Sequence, residues 1–469
     1  MNPVFDPLRL TSVSLDVLAT GRGSPAGVAA RQRARLRGLL ASATRGSRFY
    51  RDHLAGLGSD TPLAGLPTVT RAALMTRFHD WVSDPRLRLD ELKAFTADPQ
   101  RMGEPYLGRY VIWESSGTSL QPGLFVQDSA TMAVYDALEA LRRSAPRSLW
   151  RWSDPLYLGE RLAFVGAIGG HFASHVSIER WRQLNPWMRL NFRSFSIMQP
   201  VPELIASLNA FAPTVIATYP TVASLLADEA GRGALTFRPS EIWTGGETLG
   251  MAARRHIERV LACSVRNSFG ASEFLSMGWE CGHGRMHLNA DWVILEPVDE
   301  HGRVVPPGRM SHSCLLTHLA NTVQPLIRYE LGDQITLFDE PCACGSALPV
   351  IEVQGRRDEP LALTAPGGRR VTLLPMALTT LIEEQAGVYD FQIRQIGPHA
   401  LAVRLPGDDH EARAAMGRCR DAMQAFAKAH GIRGLNVVEE LGQPLQRGRS
   451  GKITRVLATP PPSRHQIHP

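Results

Sequence analysis

The sequence predicts an α/β fold: a large N-terminal α/β domain with a β-rich subdomain, followed by a small α+β C-terminal domain. Three observations predict it. A chain of 469 residues is longer than one hydrophobic core usually serves. Between 130 and 260, apolar runs such as RLAFVGAI and PTVIATYP alternate with helical segments such as PELIASLNAF and TVASLLADEA, the pattern of strands joined by crossover helices. Near 356, GRRDE (355–359) and a TAPGG loop separate this pattern from a fresh run of strand and helix signals.

Taken in order, residues 1–100 read as Arg-rich helix, amphipathic over RQRARLRGLLASATR (31–45). Residues 106–130 change to a strand, a Ser/Thr/Gly turn and a second apolar stretch. Residues 286–340 read as several strands with a turn at DEHGRVVPPG (299–308), the β-rich subdomain. The expected domains are 1–356 and 357–458, with a disordered Pro-rich tail at 459–469.

Composition excludes several classes. With 44% hydrophobic and 20% charged residues the chain is an ordinary globular protein. Its net charge of +6 is spread out, with no basic cluster interleaved by aromatics, so no nucleic-acid partner is expected. The most apolar stretch, Phe211 to Ala227, holds Pro213 and Pro220 and is too short to span a bilayer. Six cysteines in such a chain do not suggest a disulfide framework, and the N-terminus has no signal-like apolar run. The expected compartment is the cytoplasm. Only three of the 51 basic residues are lysine: Lys93, Lys428 and Lys452.

In VIWESSGTSLQPGLFV (111–126) a strand leads into Ser115, Ser116, Gly117, Thr118 and Ser119 and returns to strand at Gly123. Small hydroxyl residues around a glycine offer N–H and O–H donors at little steric cost, as a phosphate-cradling loop requires. A plain hairpin turn has the same composition. A fixed series follows: EIWTGGETL (241–249), NSFGASEF (267–274), PLIRYELGD (325–333), GRRDE (355–359) and RSGKITRV (449–456). Each alone is ordinary glycine-plus-acid turn chemistry.

In this order the motifs resemble those of the adenylate-forming superfamily, which includes acyl-CoA ligases, peptide-synthetase adenylation domains and luciferases. Within it, CGHGRMHLNAD (281–291), QPLIRY and CACGSAL are similar to the phenylacetate-CoA ligase and coenzyme F390 synthetase-like branch. The resemblance implies ATP- and Mg²⁺-dependent activation of a carboxylic acid as an acyl-adenylate, then transfer to a thiol. That thiol would be CoA or the phosphopantetheine arm of an acyl carrier protein. The branch implies an aromatic acid of the benzoate or hydroxybenzoate type, in a pocket lined by Tyr219, Trp243, Gly245 and either Phe164 or His171.

The implied roles fall on residues of this chain. The Ser115–Ser119 loop, with Thr118 among the catalytic groups, would hold the β- and γ-phosphates. Gly246 and Glu247 would border the adenine and acyl pockets. Phe269 would stack on adenine, flanked by Gly270 and Ser272, and Glu273 would help hold Mg²⁺, which takes hard oxygen ligands. Asp333 would accept from the ribose hydroxyls, Arg356 would pair with the ribose-phosphate region, and Asp358 would be the hinge of a mobile small domain. Lys452 would be the catalytic lysine, a compact cation that an Arg-rich chain has kept. Two departures stand out. Leu120, Gln121 and Pro122 replace the usual glycine-lysine end of the phosphate loop, so pyrophosphate binding would be weaker or rest on an arginine instead. PLALTAPGG replaces the usual glycine-lysine stretch after the hinge.

Cys281-Gly-His283-Gly284 and Cys342-Ala-Cys344-Gly345 form two C-x-[CH]-G knuckles, a spacing that suits a structural tetrahedral Zn²⁺. His287 competes with His283 as the fourth ligand. The alternative reading of the whole chain is a zinc-stabilised, non-catalytic nucleotide-binding relative of the same fold.

Overall fold

A computed structural model describes residues 4–58, 61–115, 122–142, 159–354, 360–446 and 455–458. The expected boundary near 356 and the expected tail at 459–469 lie outside the described residues.

The first hundred residues are helical, led by Pro7–Gly21 and Pro25–Gly46. Asp6 and Ser24 cap these two helices by accepting from the amides of Arg9 and Gly27. Strands β1 (Val111–Glu114) and β2 (Leu124–Gln127) then form an antiparallel hairpin, as the sequence predicts.

Next come β3 (Leu162–Gly166), β4 (Phe192–Ser196), β5 (Val215–Thr218), β6 (Glu241–Thr244) and β7 (Ser264–Ala271). All five run parallel, with helices Ala173–Leu184, Val201–Phe211, Pro220–Gly231 and Met251–Leu261 in the crossovers. All five residues of β3 are buried, the continuous apolar run expected of a strand covered on both faces. Strands β8 (Phe274–Glu280) and β9 (Met286–Leu288) continue the sheet antiparallel. Strands β10 (Val293–Val298), β11 (Ser313–His318) and β12 (Tyr329–Glu330) form the separate β-rich layer that the sequence predicts. Strands β13 (Gln334–Phe338) and β14 (Val350–Gln354) then close the far edge of the large sheet, whose order is β13-β14-β9-β8-β7-β6-β5-β3-β4.

The chain goes from β3 outward to β4, then crosses back over β3 to β5. Between β3 and β5 the winding therefore reverses. At such a point the loops leaving the carboxyl ends of adjacent strands part, and a crevice opens.

The C-terminal part has its own sheets. Strands β15 (Leu361–Thr364) and β16 (Arg370–Leu373) form a hairpin. Strands β17 (Gln392–Gly397), β18 (Ala400–Leu405), β19 (Asn436–Leu441) and β20 (Val456–Leu457) form a four-stranded sheet, packed with helix His410–Ala429. Its core is continuous with that of the parallel strands. No helix among the described residues is long and apolar enough to cross a membrane.

Candidate functional site

A cavity of about 1580 Å³ opens at the switch point, over the carboxyl ends of the parallel strands. Ser115, Tyr219, Trp243, Gly245, Gly246, Glu247, Phe269, Gly270, Ser272, Glu273 and Asp333 all line it. Residues from four separate sequence motifs thus meet in one space. Ser116, Gly117, Thr118, Ser119, Arg356, Asp358 and Lys452 lie outside the described residues.

Local chemistry explains how each loop is held. Glu247 accepts from the Thr221 amide (3.0 Å) and the Thr221 hydroxyl (3.1 Å). A carboxylate is thereby set at the N-terminus of helix Pro220–Gly231, where the helix dipole favours it, and it ties the GGE turn to the TYPT segment. Gly246 has φ +78, the left-handed region, and its face packs beside the Tyr219 ring. Gly270 sits at the register shift between β7 and β8, where any side chain would overlap the Leu275 carbonyl. The FGASE loop can therefore turn there only with glycine. The Ser272 carbonyl accepts from the Trp113 indole (2.7 Å) and the Ser272 hydroxyl donates to the Glu114 carbonyl (3.2 Å), which fixes this loop to the first hairpin.

Glu273 is buried and accepts a hydrogen bond from the Tyr329 hydroxyl (2.8 Å). Burial raises its pKa, against the opposing pull of that hydrogen bond and of the Arg71 charge. Tyr329 is held firmly. Val69 donates to the Arg328 carbonyl (3.1 Å), Glu330 donates to the Val69 carbonyl (2.9 Å), and Arg328 is ion-paired with Glu296 (3.1 Å).

Arg71 is the residue that sequence reasoning missed. It opens helix Arg71–Thr76, directly after the Thr70 cap, and its Nη1 donates to the Ser115 hydroxyl (3.1 Å). The same hydroxyl accepts from the Gly123 amide (2.8 Å), and the Ser115 amide donates to the Gly123 carbonyl (2.8 Å). The loop is thus pinched at its base with a guanidinium beside it. Gly123 makes room, since a Cβ there would stand 3.1 Å from Arg71 Cδ. One signal was available in the sequence: a cation in a helix's first turn runs against the dipole.

Two expected residues fall elsewhere. His171 is buried against Phe95 (ring centroids 5.7 Å apart) and does not line the cavity; burial lowers its pKa. Phe164, the other expectation there, does line it. His283 is exposed and stands apart from the cysteines.

The metal-type cluster consists of Cys281, His287, Cys342 and Cys344, whose ligand atoms all lie within 4.8 Å of one another. Each knuckle closes by a hydrogen bond back to its first cysteine: Gly284 amide to Cys281 carbonyl (2.9 Å) and Gly345 amide to Cys342 carbonyl (3.0 Å). Both glycines have positive φ, +72 and +77, which is why glycine ends each knuckle. His287 outcompetes His283 because it lies on β9, paired with Trp279 and Val350, where its Nδ1 meets the Leu348 carbonyl (2.8 Å). That contact turns Nε2 toward Cys344 Sγ, 3.3 Å away. Cys281 and Cys342 Sγ are 3.8 Å apart, the separation two thiolates bound at about 2.3 Å to one tetrahedral ion would show. The donor set fits Zn²⁺.

The C-terminal part reaches the cavity through Met376, Thr380 and Asp390. Beside them Glu384 lies so close to Gly169 that any side chain at 169 would overlap its carboxylate. Burial first, then the charges of Glu383 and Glu114, push the Glu384 pKa up to about 7 from 4.5. A carboxyl raised in the packed state favours packing fully below the ordinary value and loses that contribution as pH rises through about 7. Protection factors of the 167–170 amides, which remove the intrinsic rise of exchange with pH, should therefore fall between pH 5 and 8, and Glu384→Gln should flatten that fall. An unchanged profile in the variant would remove Glu384 as the cause.

No protein-family model matches the chain. It is similar to CapK of Staphylococcus aureus, 28% identical over 163 residues; that stretch is 34% of this chain and 35% of CapK, so the match spans about a third of either. Among solved structures it is similar to 2-hydroxyisobutyryl-CoA ligase in complex with 2-HIB-AMP and CoA in the thioesterification state. That alignment has TM-score 0.55 and 18% identity, covering 94% of this chain and 91% of the other. The same ligase in the postadenylation state with R3-HIB-AMP gives TM-score 0.53 and 19% identity over 94% and 91%. These likenesses show the fold, a large α/β unit with a C-terminal subdomain.

Proposed function

We propose that this protein activates a carboxylic acid with ATP and passes the acyl group to a thiol, CoA or the phosphopantetheine of an acyl carrier protein. The observation that carries the reading is the convergence of Ser115, the 245–247 turn, the 269–273 loop and Asp333 on one switch-point cavity. In the first step a carboxylate oxygen attacks the α-phosphorus and the bond to the β-phosphate oxygen breaks, releasing pyrophosphate. In the second, a thiolate attacks the acyl carbon and AMP leaves.

Anion attacking anion needs cations. Arg71, beside the base of the Ser115 loop, is the arginine that serves the leaving phosphates where the loop lacks its lysine. Glu273 lines the cavity with carboxylate oxygens, the donors Mg²⁺ takes, and Mg²⁺ bound there would offset charge on the phosphates. Phe269 offers adenine a face, Asp333 takes the ribose hydroxyls, and Arg356 pairs with the ribose-phosphate region. Asp358 is the hinge, and Lys452 comes in with the C-terminal part. Tyr219, Trp243 and Phe164 flank the acid and offer its apolar body, aryl or alkyl, a face to pack on. Zn²⁺ in the Cys281, His287, Cys342, Cys344 cluster is structural, because four protein ligands leave no open position.

Pyrophosphate release with ATP and Mg²⁺ across a panel of acids, without thiol, tests the proposal. Release with at least one acid is expected. Silence across the panel with ATP still bound would favour the non-catalytic reading. Lys452→Ala should abolish pyrophosphate release while sparing transfer from a supplied acyl-AMP, and equal loss of both steps would refute its role.

A further inference from the structure

The cavity does not end at the aromatic slot. It continues along the face of the parallel sheet from Gly245, at the carboxyl end of β6, to Leu162 and Phe192, the first residues of β3 and β4. In register, Gly166 of β3 stands level with Ser196 of β4, and Leu162 with Phe192. Four residues of strand therefore separate the two ends, about 13 Å at the usual rise.

The inner lobe is apolar. Leu162, Met188 and Phe192 form a small buried cluster of their own with Val215, and Ile178, Trp181 and Trp243 pack against it, Trp243 from the side of the outer slot. The crossover helix Ala173–Leu184 contributes Ser177 to the lining, but its hydroxyl is turned to the Ala173 carbonyl (2.8 Å) and offers the lobe little polarity. Asp136, also on the cavity, is taken by Arg180 through two bonds of 3.0 and 2.8 Å. No charge in that pair is left to recognise a polar tail. Ala217, on β5 level with both Phe164 and Trp243, puts only a methyl group on the cavity between the outer slot and the inner lobe.

From this we infer that the acid carries an unbranched apolar chain, alkyl or aryl-ended, about ten carbons long from the carboxyl group. A backbone residue spans about 3.4 Å in three bonds when extended, so 13 Å corresponds to roughly eleven bonds. A benzoate fills only the outer third. The inference rests on the acid-activation reading and specifies its substrate. Each buried CH₂ contributes about 0.8 kcal/mol, so chain length is recognised stepwise until the lobe is full.

The test is pyrophosphate release by the full-length protein with benzoate, hexanoate, decanoate, tetradecanoate and 6-phenylhexanoate. Decanoate and 6-phenylhexanoate should exceed benzoate at least tenfold in kcat/KM. Ser177→Phe, which fills the inner lobe, should move the optimum to shorter acids by several carbons. Benzoate matching or exceeding decanoate, or a chain-length profile that Ser177→Phe does not move, overturns the inference and leaves acid activation standing. Silence with every acid overturns acid activation itself.

Discussion

Replacing Arg71 by alanine should slow acyl-adenylate formation about 100-fold, the order found when one preorganised donor to a developing charge is removed, or about 2.7 kcal/mol. The argument is positional. The loop from Ser115 to Gly123 is closed by two hydrogen bonds at its base, and the only described side chain that donates to the Ser115 hydroxyl is Arg71. Leu120, Gln121 and Pro122 bring no cation to that loop. Pyrophosphate leaves in the first half-reaction and takes no part in the second. Transfer from a supplied acyl-AMP should accordingly survive in Arg71→Ala, which a merely misfolded variant would not show. Arg71→Lys should recover only part of the loss, because a lysine cannot hold the hydroxyl and a phosphate in one planar fork. Wild-type pyrophosphate release by Arg71→Ala would strike Arg71 from the mechanism.

Much of the site was legible because the chemistry-bearing turns follow strands of one sheet. Once 241–244 and 264–271 are strands of a wound sheet, their glycine turns must leave at the same end, so GGE and FGASE meet. What stayed illegible depends on pairing and direction. His171 follows a glycine pair, and nothing in FVGAIGGHF says whether its ring turns to the cavity or, as it does, to Phe95. His283 and His287 are equally plausible by spacing, and the choice was made by the register of β9 on β8 and β14. Glu247 borders the cavity as its motif suggests, but that its oxygens also hold the amide and hydroxyl of Thr221 depends on a contact 26 residues away that the motif does not carry. The pairing of Glu384 with Gly169 joins positions more than two hundred residues apart, and no local pattern could announce it.

Changing Cys342 and Cys344 together to serine should remove one equivalent of zinc per chain and cost more than about 3 kcal/mol, in the range of the largest single-site losses. The cluster joins the turn after β8, strand β9 and the turn before β14. Strand β13 is held in the large sheet by β14, and β14 is held in turn by β9 along only two paired residues, Val350 with His287 and Ile351 with Met286. So short a ladder is a weak tie for an edge that carries Asp333 immediately before β13. A metal held by Cys281, His287, Cys342 and Cys344 would reinforce that junction. Its loss should therefore reach the nucleotide side of the cavity, which Met286, Ile351 and Asp333 share. The double variant should lose metal by elemental analysis, lower the melting temperature and weaken ATP binding, with zinc restoring none of the three. Stripping the wild-type protein with a chelator should reproduce the same losses, and added zinc should reverse them. Native protein without zinc, or a stripped protein that binds ATP as before, would refute the link between cluster and nucleotide site.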